Sequence, residues 1–384
     1  MSKFPLLVAC ASLAGCAALP PVATARSSPD PVDRQATVET RALLHSMAAL
    51  APTATMFGHQ NTLAYGYRWR GEPDRSDVKD VAGCFPAVYG WDLMDIFARN
   101  GAMQVDPAGA QRLRDYIRQG FARGGVITLS WHQGNPANDG DAWNVDLPAV
   151  ARILPGGDLH SKYMARLDVA ADFIAGLEAA DGTPIPVVFR PYHEHTGSWF
   201  WWGRDHATPA EFKGLWRMTV EHLRDRRGLR NVLYSYSTDV FDSEAEYLER
   251  YPGDDVIDVL GFDDYHSIKS AETTDVFRNR LRLLVGMARE RGKIAALTET
   301  GLEAIPDPDW WTSVLLAGIN ADAETRGIAW ALVWRNATVA VEGREHFYAP
   351  YPGQASAADF KTFADDPSIL LECELPDLYA RGNQ

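Results

Sequence analysis

Two glutamates stand where a carboxyl group could do chemistry. Glu194 lies in the stretch RPYHEHTGSWFWWG from Arg190 to Gly203, and Glu299 in TETG from Thr298 to Gly301. Each ends or nearly ends an apolar run of strand character, PVVFRPYHE at 186–194 and IAALTETG at 294–301. A single glutamate at a strand end is most often a solvated or ion-paired carboxylate. Two at matching strand ends suit glycoside hydrolysis, in which one carboxyl protonates the leaving oxygen while the other attacks the anomeric carbon or activates water. The indoles beside Glu194 fit such a substrate, since flat aromatic walls around a few polar groups make a ligand site. One or two of Trp199, Trp201 and Trp202 are expected to fill core instead. His193-Glu194-His195, with His132 elsewhere, raises a metal site as well. The spacing is not H-E-x-x-H and specifies no third ligand, so neither metal nor cofactor is expected.

These groups need elements to hold them. Short β-rich runs occur at 54–60, 85–93, 125–132, 186–194, 231–239, 256–265, 294–301 and 328–336. Most are nearly continuously apolar, as strands buried on both faces are. Amphipathic segments such as 108–124 and 212–228 lie between them, with apolar residues three and four apart and glycine at the end. Eight strand–helix units predict an α/β fold, a single-domain (β/α)8 TIM barrel, with a doubly wound open sheet as the alternative. The runs end in His59 and Gln60; Trp91 and Asp92; Trp131 and His132; His193 and Glu194; Tyr236 and Asp239; Asp263, Asp264 and Tyr265; Glu299; and Trp334 with Arg335. In such barrels the active site sits where these ends converge, and Glu194 and Glu299, three units apart, would face each other across the mouth.

Composition narrows the field. The 384 residues are 46% hydrophobic, too apolar for a disordered chain, and carry a net charge of −14, from 37 Lys and Arg against 51 Asp and Glu. That balance argues against a nucleic-acid partner, because such affinity comes from neutralising phosphates. Residues 1–15 read as a lipoprotein-type signal peptide: one lysine, a short apolar stretch, then small residues. Leu13-Ala14-Gly15-Cys16 resembles a bacterial lipobox, so Cys16 is the expected lipidation site and membrane anchor at the cell envelope; cleavage after Ala25 would instead release a secreted protein. Residues 16–37 are expected to be a flexible spacer and 38–384 the catalytic domain. Cys84 and Cys373 are far apart in sequence; a disulfide is left open, and a buried thiol is the plainer reading of Cys84. The acidic tail after Phe360 reads as a final helix packed on the barrel.

Several stretches together resemble glycoside hydrolase family 26: FGHQ (57–60), FPAVYGWD (85–92), SWHQGNP (130–136), RPYHEHTGSWFWWG, GFDDYH (261–266), TETG and VWRN (333–336). They run through the body in order, with His193 before Glu194 as a specific mark. The resemblance implies a (β/α)8 barrel and a retaining hydrolase of β-1,4-mannosidic linkages in mannan, glucomannan, galactomannan or mannooligosaccharides. By the same resemblance Glu194 would be the acid/base, Glu299 the nucleophile, and His193 the residue that orients Glu194. His132 would bond the reacting sugar, Tyr265 would lie near Glu299, and Trp334 would form the platform under that sugar. Trp199 and Trp143 would bind neighbouring rings, and Arg190 and Arg335 would hold the carboxylates ionised and oriented. A monomer is expected. A β-1,3-1,4-glucanase or xylanase on the same scaffold is the alternative enzyme, and a tethered glycan-binding lipoprotein the alternative without catalysis. Retention predicts a carboxyl separation of about 5–5.5 Å, inversion one above about 6.5 Å.

Overall fold

The computed structural model describes residues 29–98, 103–337 and 339–380 together with Met1. The rest of the expected signal peptide, Cys16 and the cleavage position Ala25 lie outside the described residues. Eight parallel strands close into a barrel: β1 (Thr55–Gln60), β2 (Val88–Asp92), β3 (Val126–Trp131), β4 (Val187–Pro191), β5 (Val232–Thr238), β6 (Val259–Asp264), β7 (Ile294–Thr300) and β8 (Ile328–Val333). Each pairs with the next, and β8 pairs back to β1 through Met56–Trp330 to His59–Val333. The open-sheet alternative is thereby excluded. Helices follow the strands on the outside, among them α2 (Pro107–Ala122), α3 (His160–Ala175), α4 (Pro209–Val220) and α5 (Thr274–Arg291). Asp106 caps α2, with proline at its first position, and Thr208 and Glu211 form a reciprocal capping box on α4.

Alternation along each strand divides the side chains between two cores. Met56, Val88, Val126, Val188, Leu233 and Val259 point into the barrel, where α1 (Val38–Leu50) closes the bottom with Leu43, Leu44 and Met47. Tyr89, Trp91, Ile127, Trp131, Phe189 and Tyr236 point outward into the helical layer. Trp91 stacks on Tyr116 at 5.3 Å and Trp131 on Phe97 at 6.4 Å. These indoles, and Tyr236 with them, therefore belong to packing and not to the mouth, contrary to the expectation that every strand end contributes there.

Two further expectations need correction. The spacer was to run through residue 37, yet residues 32–37 pack against the barrel. The Val32 amide donates to Asp258 Oδ1 at 2.8 Å, Asp33 pairs with Arg230 at 3.1 Å, and Ala36 is buried. The tail is more than a final helix. Phe360 and Phe363 of α6 (Ala357–Ala364) pack on Phe57, and β9 (Ile369–Leu370) then pairs with Thr55 and Met56 at the start of β1, before β2 takes over that edge at Gly58. A bridge between Pro86 and Leu371 brings Cys373 to Cys84, and the two form a disulfide.

Candidate active site

Local backbone features present the two glutamates. After β4 the chain turns sharply through Tyr192 and Glu194, both in the left-handed region at φ 53° and 51°. Non-glycine residues rarely sit there, and such strain gathers at functional sites. The turn is held by the Glu194 amide, which donates to Ser237 O at 3.1 Å, and by the Gly197 amide, which donates to Glu194 O at 2.9 Å. On β7 the alternation is broken. Phe262 pairs with Leu297 but Asp263 with Glu299, so Thr298 is an extra residue, and both it and Glu299 turn inward. Gly261 makes room for this bulge, since a Cβ there would lie 2.5 Å from Thr298 Cγ2.

One carboxylate oxygen from each of Glu194, Asp263 and Glu299 lies within 4.8 Å of the others. Arg190, buried on β4, supplies the opposing charge: Nη1 reaches Asp263 Oδ2 at 2.8 Å and Nη2 contacts Glu299 Oε1. Tyr265 donates to the other Glu299 oxygen at 3.0 Å. Asp263 accepts from Ser237 Oγ at 3.0 Å and Thr298 Oγ1 at 2.6 Å. Glu299 is thus held from both sides by donors, as an anion that must present one oxygen would be. Glu194 is half-buried and has one donor, the Trp199 indole at 2.7 Å. Burial raises its pKa well above the usual carboxylate range, and the negative charges of Asp263 and Glu299 raise it further. One carboxyl kept as its acid beside a second held by Arg190 and Tyr265 is a pair that glycosyl transfer can use.

The three carboxylates could in principle cradle a cation, but Arg190 already neutralises two of them. The imidazoles on either side of Glu194 diverge. His193 faces His132, with Nε2 to Nε2 at 3.1 Å, whereas His195 is packed between Phe212 and Tyr236 at 4.1 and 4.7 Å. They do not converge on a metal.

A groove runs across the mouth. A cavity of about 420 Å³ holds Glu194, Glu299, His193, Trp199, Tyr265 and Trp334; one of about 860 Å³ continues past Tyr65, Asp92, Met94 and Arg335. His132, Trp143, Trp334 and His346 line both, so the groove is continuous. Trp199 is 39% and Trp143 54% exposed, available to a ligand, while Trp201 and Trp202 are core. Trp143 stacks over His132 at 5.2 Å. Its loop is braced by Arg166, which donates to Gly134 O at 2.7 Å and to Asp139.

Of the residues singled out from sequence, Glu194, Glu299, His132, His193, Trp199, Tyr265, Trp334 and Trp143 meet in this groove, and Arg190 is buried beneath it against Glu299. Arg335 lines it but pairs with Glu342, so it does not hold the two glutamates as expected. His132 has both ring nitrogens engaged, Nδ1 by Asp92 and Nε2 by His193, which leaves none for a sugar hydroxyl in this arrangement. Asp263 and Asp92 stood among the strand-end residues but received no role. Strand parity carries the signal that distinguishes them: Val259, Gly261 and Asp263 share the inward face, and so do Val88, Gly90 and Asp92.

Residues 32–315 match Glycosyl hydrolase family 26. A mannan endo-1,4-beta-mannosidase of Bifidobacterium adolescentis is 34% identical over 358 residues, and one of Bacillus subtilis 29% over 206. This chain spans 35% and 54% of the lengths of those two relatives. Among solved structures, a GH26 beta-mannanase from Bacteroides ovatus superimposes with a TM-score of 0.83 at 43% identity, covering 91% of this chain and 99% of that one. An endo-beta-1,4-mannanase from Cellulomonas fimi gives 0.85 at 36% identity, covering 92% and 79%.

Proposed function

The chain belongs to glycosyl hydrolase family 26, and from that premise we propose that it is a retaining β-1,4-mannanase acting on mannan, glucomannan, galactomannan or their oligosaccharides. The observation that carries the mechanism is the close approach of Glu194 and Glu299, one oxygen of each within 4.8 Å of the other, which favours the roughly 5–5.5 Å carboxyl separation of a retaining pair over the roughly 6.5–9.5 Å an inverting enzyme needs to admit water. Glu194 gives its proton to the glycosidic oxygen while Glu299 attacks the anomeric carbon and forms the glycosyl ester. Esterification removes the Glu299 charge that had helped raise Glu194, so Glu194, its proton already given up, stays ionised and is ready to act as base. It then takes one from water, which cleaves the ester. Arg190 and Tyr265 orient Glu299, Trp199 fixes one oxygen of Glu194, and Trp334 and Trp143 form faces for the sugar rings.

Export accompanies this reading: an envelope lipoprotein anchored through Cys16, or a secreted protein released after Ala25. The Cys84–Cys373 disulfide suits the oxidising compartments beyond the cytoplasm. The test is a product profile over time on mannohexaose, glucomannan, lichenan and xylan. Mixed mannooligosaccharides mark endo action and stepwise mannobiose release a cleft closed at one end. Hydrolysis of lichenan or xylan but not mannan overturns the substrate, and binding without hydrolysis overturns catalysis.

A further inference from the structure

The end of β2 carries an acid for which this mechanism has no use. Asp92 is 8% exposed and faces inward. Its Oδ1 accepts from the amides of Met94 at 2.8 Å and His132 at 3.2 Å. Its Oδ2 accepts from Ser130 Oγ at 3.1 Å and meets His132 Nδ1 in a short contact. The far nitrogen of His132 lies 3.1 Å from His193 Nε2, and His193 adjoins Glu194.

The proton pattern along this chain follows from what each group can do. An ionised carboxylate only accepts, so His132 Nδ1 carries a proton. Two ring nitrogens at hydrogen-bond distance share a single proton between them. Burial above all, with the charge of Arg190, holds His193 well below the usual imidazole range, so it is neutral and has one N–H. His193 Nδ1 is buried without a partner. A buried orphan N–H is rarer than a buried orphan acceptor, which puts the proton of His193 on Nε2, donating to a bare His132 Nε2. Packing cannot choose this arrangement. Trp143 covers the face of His132 and Phe200 approaches at 5.4 Å, but a half-turn of the ring keeps its outline and exchanges a nitrogen for a carbon at both Asp92 and His193.

We propose that Asp92 is a positioning residue: it locks His132 as the Nδ1–H tautomer and, through it, orients His193 beside the acid/base Glu194. His132 is then a link in a chain of hydrogen bonds and not a ligand for the sugar. The catalytic consequence rests on the mannanase reading; the proton pattern does not.

The test uses the full chain with ¹⁵N-labelled histidine, with His132 assigned by the signals that His132→Gln removes. Wild type should show His132 protonated at Nδ1 alone and His193 at Nε2. In Asp92→Asn the two backbone amides keep the carbonyl at the Oδ1 position, so the amide NH₂ faces the ring and should invert His132 to the Nε2–H form. On mannohexaose kcat should fall about 10–100-fold, the scale of losing the partner that fixes a functional imidazole, with KM changing less than kcat. Protonation of His132 at Nε2 in wild type, or an Asp92→Asn enzyme with kcat within about twofold of wild type, overturns the proposal. If the variant does not fold, the wild-type spectrum decides alone. An inactive wild type would count against the mannanase reading and leave the spectra to decide this one.

Discussion

In the proposed mechanism Glu194 works in its acid form, and the same surroundings that favour that form set the pH behaviour of the fold. Its folded pKa lies above its ordinary value of 4.5, chiefly through burial. The native state therefore keeps a proton that the unfolded chain releases, and stability falls as pH rises from the ordinary value through the raised one. Glu194→Gln has no charge to bury. It should unfold at a higher temperature than wild type near pH 7, with the difference closing towards about pH 4, while kcat on mannohexaose drops by about 10²–10⁴-fold. Equal melting temperatures across that range would contradict the protonation assigned to Glu194. The glutamate pair and its indoles were legible because few structural purposes place two carboxyls and several tryptophans at strand ends. Asp263 and Asp92 were not, because Asp264, one residue from Asp263, is the same kind of residue and only ties down a turn through Ser267 and Arg280. The inward face of Glu299 depends on a bulge at Thr298 that no local pattern announces.

The strands were legible to within about three residues at each end because each is an apolar run ended by polar groups, and Asp106 and Thr208 mark the starts of α2 and α4, whereas α3 and α5 start without a side-chain cap. What the patterns could not say is which face of a strand meets the groove. Trp91 and Trp131 look as functional in sequence as Asp92 and His132, and alternation sends them to the helical layer. The floor of the barrel was missed too. Nothing in residues 38–50 declares that α1 plugs the bottom, since its apolar residues could cover any flank. There Leu44 is fully buried among the inward residues of the strands. Leu44→Ala should cost about 2–5 kcal/mol in denaturant unfolding, the penalty of a core cavity, and leave kcat nearly unchanged because the groove lies at the other end. A loss of less than about 1 kcal/mol, or a large fall in kcat, would argue against α1 as a floor remote from the site.

Across the whole molecule the tail and the start of the barrel are fastened together. Cys84 and Cys373 are 289 residues apart, and that distance is why no argument from sequence paired them. Only the neighbouring β9–β1 pairing and the Pro86–Leu371 bridge bring them into reach. Closing so long a loop restricts the unfolded chain, so reduction, or Cys84→Ser with Cys373→Ser, should lower stability by about 2–5 kcal/mol and lower the melting temperature. The groove is built from other strand ends, so kcat at 25 °C should persist. An unchanged melting temperature in reductant would show that the link contributes nothing to holding the tail.

The central claim is that Glu194 and Glu299 act by double displacement, and the stereochemistry of the first product tests it most directly. Mannohexaose is digested with the enzyme in an NMR tube and the anomeric protons are followed before mutarotation. The β-anomer of the new reducing end should appear first, with the α-anomer growing in later. An α-anomer formed first would mean inversion, and would contradict both the ester on Glu299 and the roles assigned to the two carboxylates.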